Sequence, residues 1–433
     1  QQYSNMSEIV SNNILSISYL LVWILTFIWY HYKKMVLDTG SVIMFMYILY
    51  AFFSVLSIND PLFSEAYKPL KLFPYIYLYT MLMIALSPII IHHHHPSESI
   101  ENPNTRILVI IGCIIVISAI LMIPGIITQA NKGILNLFVD ETAAKEVYTD
   151  QVDEVSNSGG AIRNLPAVIY NSLSDITIFL LFYFLSLKNF KHKLVIYGLA
   201  FTTVLGIIIP ITHGQRGGIV SCTLTVIVGY FLFKPYLSSR INKAVKKIGI
   251  ISMIVISLPI IAITMSRFGK ENAGVGGFIN WYLGQGSLYF NNNGLDAGGI
   301  RYGDRTINLF KRIIDPGTPK NFVERRDKYH NLELDDNFFS TFVGDFTIDF
   351  GPILAFVIFV CVFYMISRKT RLHDTTIKLH QLLLIYFTAC ISIQGGMTLF
   401  SYADTGNLRI ITLLGLYAYL RYHEVLLIKY PKE

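Results

Sequence analysis

The chain has 433 residues, of which 53% are hydrophobic and only 15% charged, and its formal net charge is +7. The charged share lies well below the roughly 25% usual in soluble domains, and the apolar residues gather into runs near the ~20 needed to cross a bilayer core. This excludes a soluble globular enzyme. The basic excess needs no nucleic-acid partner, because lysine and arginine collected on one side of a membrane account for it.

Apolar run length predicts an all-α polytopic membrane protein of about 11 spanning helices. They fall near residues 12–31, 40–58, 74–92, 107–128, 166–187, 194–212, 217–233, 248–265, 346–366, 379–400 and 408–427. The N-terminus has no basic n-region and no small-residue cleavage site, so no signal peptide is expected. "HHHH" (His92–His95) follows the third run and reads as a flexible polar turn rather than a metal site, which would need fixed geometry. Residues 129–165 form an acidic connection, with Asp140, Glu141, Glu146, Asp150, Asp153 and Glu154, that reads as a solvated face. Residues 266–338 are too long for a simple connector, and such segments are usually functional or locally folded. Within them "GFINWYLGQGSLYF" reads as a segment lying on the membrane surface, with Trp281 and Tyr282 at the headgroups. The last run is interrupted by Arg421, His423 and Glu424, and could be a short span followed by an interfacial helix. The four cysteines lie in or beside apolar runs, where helices held apart by lipid make a disulfide framework unexpected.

Short connections set the orientation. Lys33-Lys34, "KNFKHK", "KPYLSSRINKAVKK" and "SRKTRLHDTTIK" all fall on one side, which is therefore cytoplasmic. The N-terminus is then external and the C-terminus cytoplasmic. The expected organisation is residues 1–265 with eight spans and the external 129–165 loop, one large external loop over 266–338, and three spans within 339–433.

The charges of interest fall on the external side. Arg216 and His213 sit in "THGQRGG", the tight turn between the sixth and seventh runs. Arg267 stands where the eighth leaves the membrane, Arg301 and Arg305 lie in "GGIRYGDRTINLF", and Arg409 begins the last run. Arginine stays charged and its planar fork makes paired hydrogen bonds to phosphate, so several at one depth could clamp a diphosphate leaving group. Each alone could equally be an interfacial anchor. Carboxylates follow in "LELDDNFFSTFVGDFTIDFGPI", with Asp335, Asp336, Asp345 and Asp349. Asp336 could accept a proton from an attacking hydroxyl, or Asp335 and Asp336 could cap the helix; if helix begins this early, Asp336, Phe339, Val343 and Phe346 share a face. No nucleotide loop, serine elbow or HExxH motif is present, and no cytoplasmic segment is large enough for a nucleotide-binding domain.

In this order of parts the chain resembles the bacterial O-antigen polymerases, the oligosaccharide repeat unit polymerases. The resemblance rests on many spans, a short turn with "HGQRGG", an arginine at the next outer boundary, one large loop, and then "NFFSTFVGDFTIDFGPILAFVI". It implies a GT-C-type glycosyltransferase fold, an undecaprenyl-diphosphate-linked oligosaccharide donor and acceptor, and inverting, metal-independent transfer with no cofactor. The place implied is the outer face of the inner membrane, in lipopolysaccharide or related polysaccharide synthesis, with membrane lipid, a chain-length regulator and a flippase as partners. Arg216 and Arg267 match the family's boundary arginines and would hold the diphosphate. His330 and Asp336 both remain open as the base, the former because the related O-antigen ligases place a histidine near the end of the large loop. Two alternatives carry different chemistry or none: a ligase passing glycan to lipid A–core, and a lipid-linked oligosaccharide flippase or transporter. Transporters usually carry mid-membrane polar residues and internal repeats, whereas here polar residues collect at one face.

Overall fold

A computed structural model describes residues 2–32, 35–101, 103–139, 165–213, 215–268, 274–320, 322–335, 338–372, 375–399 and 403–429. The architecture is helical. Among the described residues eight helices are long and apolar enough to cross a membrane: Ser7–His31, Thr39–Ile58, Leu72–His94, Thr105–Ile127, Lys193–Thr212, Arg216–Tyr236, Ser239–Met265 and Thr341–Thr370. The chain is thus a polytopic membrane protein. Each of these helices overlays a predicted run.

Three predicted spans come out differently. The run at 166–187 is two helices, Leu165–Ser172 and Ser174–Ser186, bent by 57° at a one-residue break. The run at 379–400 stops early as the 16-residue helix Leu379–Gln394. Gly395 and Gly396 end it, and rings of Phe342 and Tyr50 fill the space where their side chains would stand. The last run is one continuous helix, Ala403–Lys429, rather than a short span and a second helix, and it falls outside the set apolar enough to cross. The carboxylates expected at 140–154 lie outside the described residues.

The chain divides into two compact units. The first comprises Gln1–Pro96, Gly276–Arg371 and Phe387–Asn407. In it the first two helices pack together, and the Thr341–Thr370 helix runs along Leu72–His94. Its core is aromatic, with Trp23, Tyr30, Phe290, Phe342 and Phe359 almost fully buried. The second unit comprises Ser97–Val275, Leu372–Tyr386 and Leu408–Glu433. There Thr105–Val139 packs on Lys193–Thr212, which packs on Arg216–Phe233, around Phe179, Phe184, Phe233 and Tyr386. This unit also holds two short parallel strands, β1 (Ser99–Glu101) and β2 (Thr376–Lys378), paired Ser99 with Thr376 through Glu101 with Lys378.

The second half of the aromatic segment at 278–290 is packed within the protein rather than laid on a surface. The segment forms the helix Gly274–Tyr289, and from Gly284 onward that helix is buried in the first unit. Gly284 makes this packing possible, because a side chain there would strike the Phe53 carbonyl of the Thr39–Ile58 helix. Ser54 Oγ donates to the Gly284 carbonyl at 2.7 Å and meets Ser287 Oγ at 2.8 Å. Trp281 stacks on Phe63, with ring centroids 5.5 Å apart, and Tyr282 meets the Phe339 ring edge-on at 5.1 Å. The His92–His95 tract is not a flexible turn either. The helix runs through His94, and buried His93 places Nδ1 2.6 Å from Asp38 Oδ2.

Candidate functional site

The densest polar constellation lies in the first unit, on the helix that begins at Thr341. Asp345 and Asp349 are four residues apart and so share a helix face. Both are almost fully buried, as are Arg301 and Arg305. The loop carrying the two arginines is tightly folded, with left-handed backbone at Gly298, Tyr302 and Gly303, and this brings it onto that face. Asp345 Oδ1 lies 3.1 Å from Arg305 Nε, a charge pair rather than an aligned hydrogen bond, and accepts from Ser340 Oγ at 3.2 Å. Its Oδ2 accepts from Thr398 Oγ1 at 2.8 Å and the Leu399 amide at 2.6 Å. Arg305 Nη2 also donates to Thr398 Oγ1 at 3.0 Å. Asp349 Oδ2 accepts from the Arg305 amide and from the amide and hydroxyl of Thr306, at 3.2, 2.7 and 2.7 Å. Arg301 and Arg305 supply compensating charge around Asp349.

A second node adjoins it. Asp304, fully buried, takes Lys311 on one oxygen, and Lys328 and the Tyr329 hydroxyl on the other at 2.7 Å each. Burial alone would raise the Asp304 pKa, but these hydrogen bonds outweigh it and hold the carboxyl below the usual range. The Tyr329 phenol is pushed well up by burial and by its bond to Asp304. Asn308 Nδ2 donates to the Asp304 and Pro319 carbonyls at 2.9 and 2.7 Å, and Asn407 Nδ2 donates to the Thr306 carbonyl at 2.7 Å. Charges buried this deeply persist only when paired and hydrogen-bonded. Asp345 and Asp304 are both, whereas Asp349 is hydrogen-bonded through Oδ2 and its buried Oδ1 makes no hydrogen bond among the described residues.

The helix is broken just beyond these carboxylates. Gly351 has φ 76° and ψ 161°, and Pro352 follows. From Pro352 to Thr370 the helix is about 28 Å long at ~1.5 Å per residue, close to the ~30 Å of a bilayer core. The half-helix bearing Asp345 and Asp349 is therefore an addition to a span that is already long enough. The helix starts at Thr341, with Ser340 as its N-terminal cap residue. The capping role considered for Asp335 is thus corrected, and Phe339 precedes the helix instead of sharing a face with Phe346.

Asp336 lies outside the described residues, but the chain on both sides of it is tied to the Gly274–Tyr289 helix. The Asp335 amide donates to Tyr289 Oη at 2.7 Å, Phe338 stacks on Tyr289, and the Phe339 amide donates to Gln285 Oε1 at 3.0 Å. His330 is exposed, with Nδ1 2.8 Å from the Asp327 carbonyl.

In the second unit, Arg216 is the first residue of the Arg216–Phe233 helix and is only 8% exposed. Its Nη1 lies 3.4 Å from Thr264 Oγ1 on the Ser239–Phe268 helix. Arg267 stands three residues further along that helix, and its side chain lies outside the described residues. His213 is half-buried in the turn, and that burial lowers its pKa. Gly218 is needed for close approach, since a Cβ there would sit 2.7 Å from Pro210 Cγ. Arg409 Nε donates to the Asn171 carbonyl at 3.0 Å and Thr412 Oγ1 to the Ser172 carbonyl at 2.7 Å, so they satisfy carbonyls left open where the Leu165–Ser172 helix ends.

The structure therefore joins Arg301, Arg305, Asp345 and Asp349 in one network and sets Arg216 beside the Arg267 helix. Reading the sequence missed Asp304, Thr306, Thr398, Asn407 and Tyr329. Among the described residues no group of three or more His, Cys, Asp or Glu is arranged to hold a metal ion. Comparison with protein-family models, with curated proteins and with solved structures gives no match to this chain.

Proposed function

We propose that this protein polymerises undecaprenyl-diphosphate-linked oligosaccharide repeat units at the outer face of a bacterial inner membrane, with Arg216 and Arg267 binding the diphosphate. One observation carries the reading. Arg216 is a buried cation at the first position of a helix, where the open backbone N–H groups already present partial positive charge. A guanidinium beside a helix start is a setting suited to a diphosphate, which accepts from both the side chain and backbone N–H groups. In the reaction an acceptor sugar hydroxyl attacks the anomeric carbon of the donor. The bond from that carbon to the diphosphate breaks, the electron pair leaves with the diphosphate, and the hydroxyl proton passes to a base, for which Asp336 and His330 are the candidates by sequence. In this reading Arg301, Arg305 and Arg409 hold structure.

The test is chain extension of purified lipid-linked repeat units by the purified protein, read as a ladder on a gel beside a direct measurement of donor binding. Wild type should extend the chain. Arg216→Ala should lose about 100- to 1,000-fold in rate, as expected for one donor to a developing anion. A wild-type preparation that is folded yet neither binds nor extends lipid-linked donors refutes the function. A normal ladder from Arg216→Ala at matched expression removes that residue's role.

A further inference from the structure

The short helix Asn308–Ile314 in the first unit is built inside out. Its polar residues face the protein. Asn308 is 2% exposed and bonded to two carbonyls, Lys311 pairs with Asp304, and Arg312 pairs with Asp404. Its apolar residues face away, with Ile313 78% and Ile314 86% exposed, joined by Phe310 and by Ile307 just before the helix. Positions 308, 311 and 312 make one helical face and 307, 310 and 314 the other, so the separation follows helical periodicity. A helix at a protein–water boundary shows the reverse arrangement.

Two contacts place the start of this helix relative to the span. The loop leading into this helix meets the point where the last long span begins. Ile300 Cγ2 lies 3.5 Å from where a Gly351 side chain would stand, and Phe350 Cε1 lies 3.3 Å from the corresponding position at Gly303. Immediately beyond, Ile353, Leu354 and Val357 stand exposed on the span itself, which is an apolar surface suited to lipid. The Leu309 amide also donates to Asn407 Oδ1 at 3.1 Å, in the first turns of the Ala403–Lys429 helix. The loop that leads into the outward isoleucines is thus seated where the exposed apolar surface of the span begins.

We propose that Ile307, Phe310, Ile313 and Ile314 insert into the interfacial layer of the bilayer, making 307–314 a membrane-seated anchor for the loop that carries Arg301, Asp304 and Arg305. Such elements sink about 5–10 Å into the boundary between headgroups and acyl chains. The occupant is the lipid surface, and the inference does not depend on the chemistry proposed above.

The test uses the full chain in lipid nanodiscs. Ile314→Cys, in a background with Cys113, Cys222, Cys361 and Cys390 replaced, is labelled with an environment-sensitive fluorophore. Arg326→Cys, on an exposed side chain, is the aqueous control. The expected result is quenching at position 314 by nitroxide-labelled lipid and protection there from aqueous iodide, with the opposite pattern at 326. Iodide quenching at 314 equal to that at 326 overturns the proposal. Protection from both quenchers also overturns it, because protein would then cover the face. Hydroxyl-radical footprinting of the unaltered chain gives a second reading free of the cysteine background. Ile313 and Ile314 should escape oxidation in nanodiscs, and their oxidation as readily as exposed residues of the Phe322–Lys328 helix refutes the contact.

Discussion

Asp345→Asn gives the sharpest test of the buried network. The carboxylate is 1% exposed and faces Arg305 and Ser340 with one oxygen, Thr398 and the Leu399 amide with the other. Asparagine keeps the shape but removes the charge opposite Arg305. Its NH2 must also face either the Arg305 side or two donors, Thr398 Oγ1 and the Leu399 amide. Removing one partner of a buried ion pair costs roughly 3–5 kcal/mol, because the other charge stays in place without its counterion. At about 2.1 cal/mol/K per residue, unfolding 433 residues carries roughly 0.9 kcal/mol/K, so each kcal/mol moves Tm by about 1 °C and the lower bound corresponds to a fall of about 3 °C. Thermal unfolding followed by gel filtration of the purified protein in detergent would read this. The double variant Asp345→Leu with Arg305→Met removes both charges together. It should recover much of the loss, since well-packed apolar replacements of buried pairs are often neutral. A Tm for Asp345→Asn within about 1 °C of wild type, or a double variant no better than the single, would refute the reasoning.

Three further outcomes are expected. Gly351→Ala should lose about 1–3 kcal/mol, since φ 76° with ψ 161° is essentially a glycine conformation while the new methyl meets only an ordinary 3.5 Å contact; denaturation midpoints check it. Asp304 is held below its ordinary pKa, so the stability it contributes is present at neutral pH and is lost as pH falls below about 4 toward the lowered value. The Tm gap between wild type and Asp304→Asn should therefore be widest near neutrality and close in acid, and a gap that does not vary with pH counts against the two-lysine pairing. Gly218→Val should lower Tm and, with it, chain extension, because its Cβ would meet Pro210 at 2.7 Å; unchanged behaviour would show that the turn is not tight.

The spans were legible because a run of ~20 apolar residues has few other places to go. The bend near Leu173 was not, because no proline or glycine marks it. It is held by Arg409 and Thr412, some 240 residues away, bonding the Asn171 and Ser172 carbonyls. The break at Gly351 did leave a trace. The Gly-Pro pair in "DFGPIL" is a turn signal, but it was overshadowed by the apolar run that follows it. In the candidate network, arginines drew notice because a charge beside an apolar run is conspicuous. Asp304 did not, because what makes it central is its burial between lysines seven and twenty-four residues onward, and burial is a tertiary property. The aromatic helix at 274–289 misled for the same reason: the aromatic composition that suits a headgroup layer suits a protein core equally well.

The small parallel ladder of β1 and β2 imposes a rule of parity. Backbones joined by such rungs must share one compartment, so the chain between Glu101 and Thr376 has to cross the bilayer an even number of times. Among the described residues five helices of spanning length fall in that interval, from Thr105–Ile127 to Thr341–Thr370, and five is odd. Treating the bent pair Leu165–Ser186 as a single crossing restores evenness, whereas treating it as a re-entrant hairpin violates it. Three rungs of sheet thus act as a bookkeeping device for a fold made of helices, linking the route of the bent segment to strands more than sixty residues before it and nearly two hundred after it.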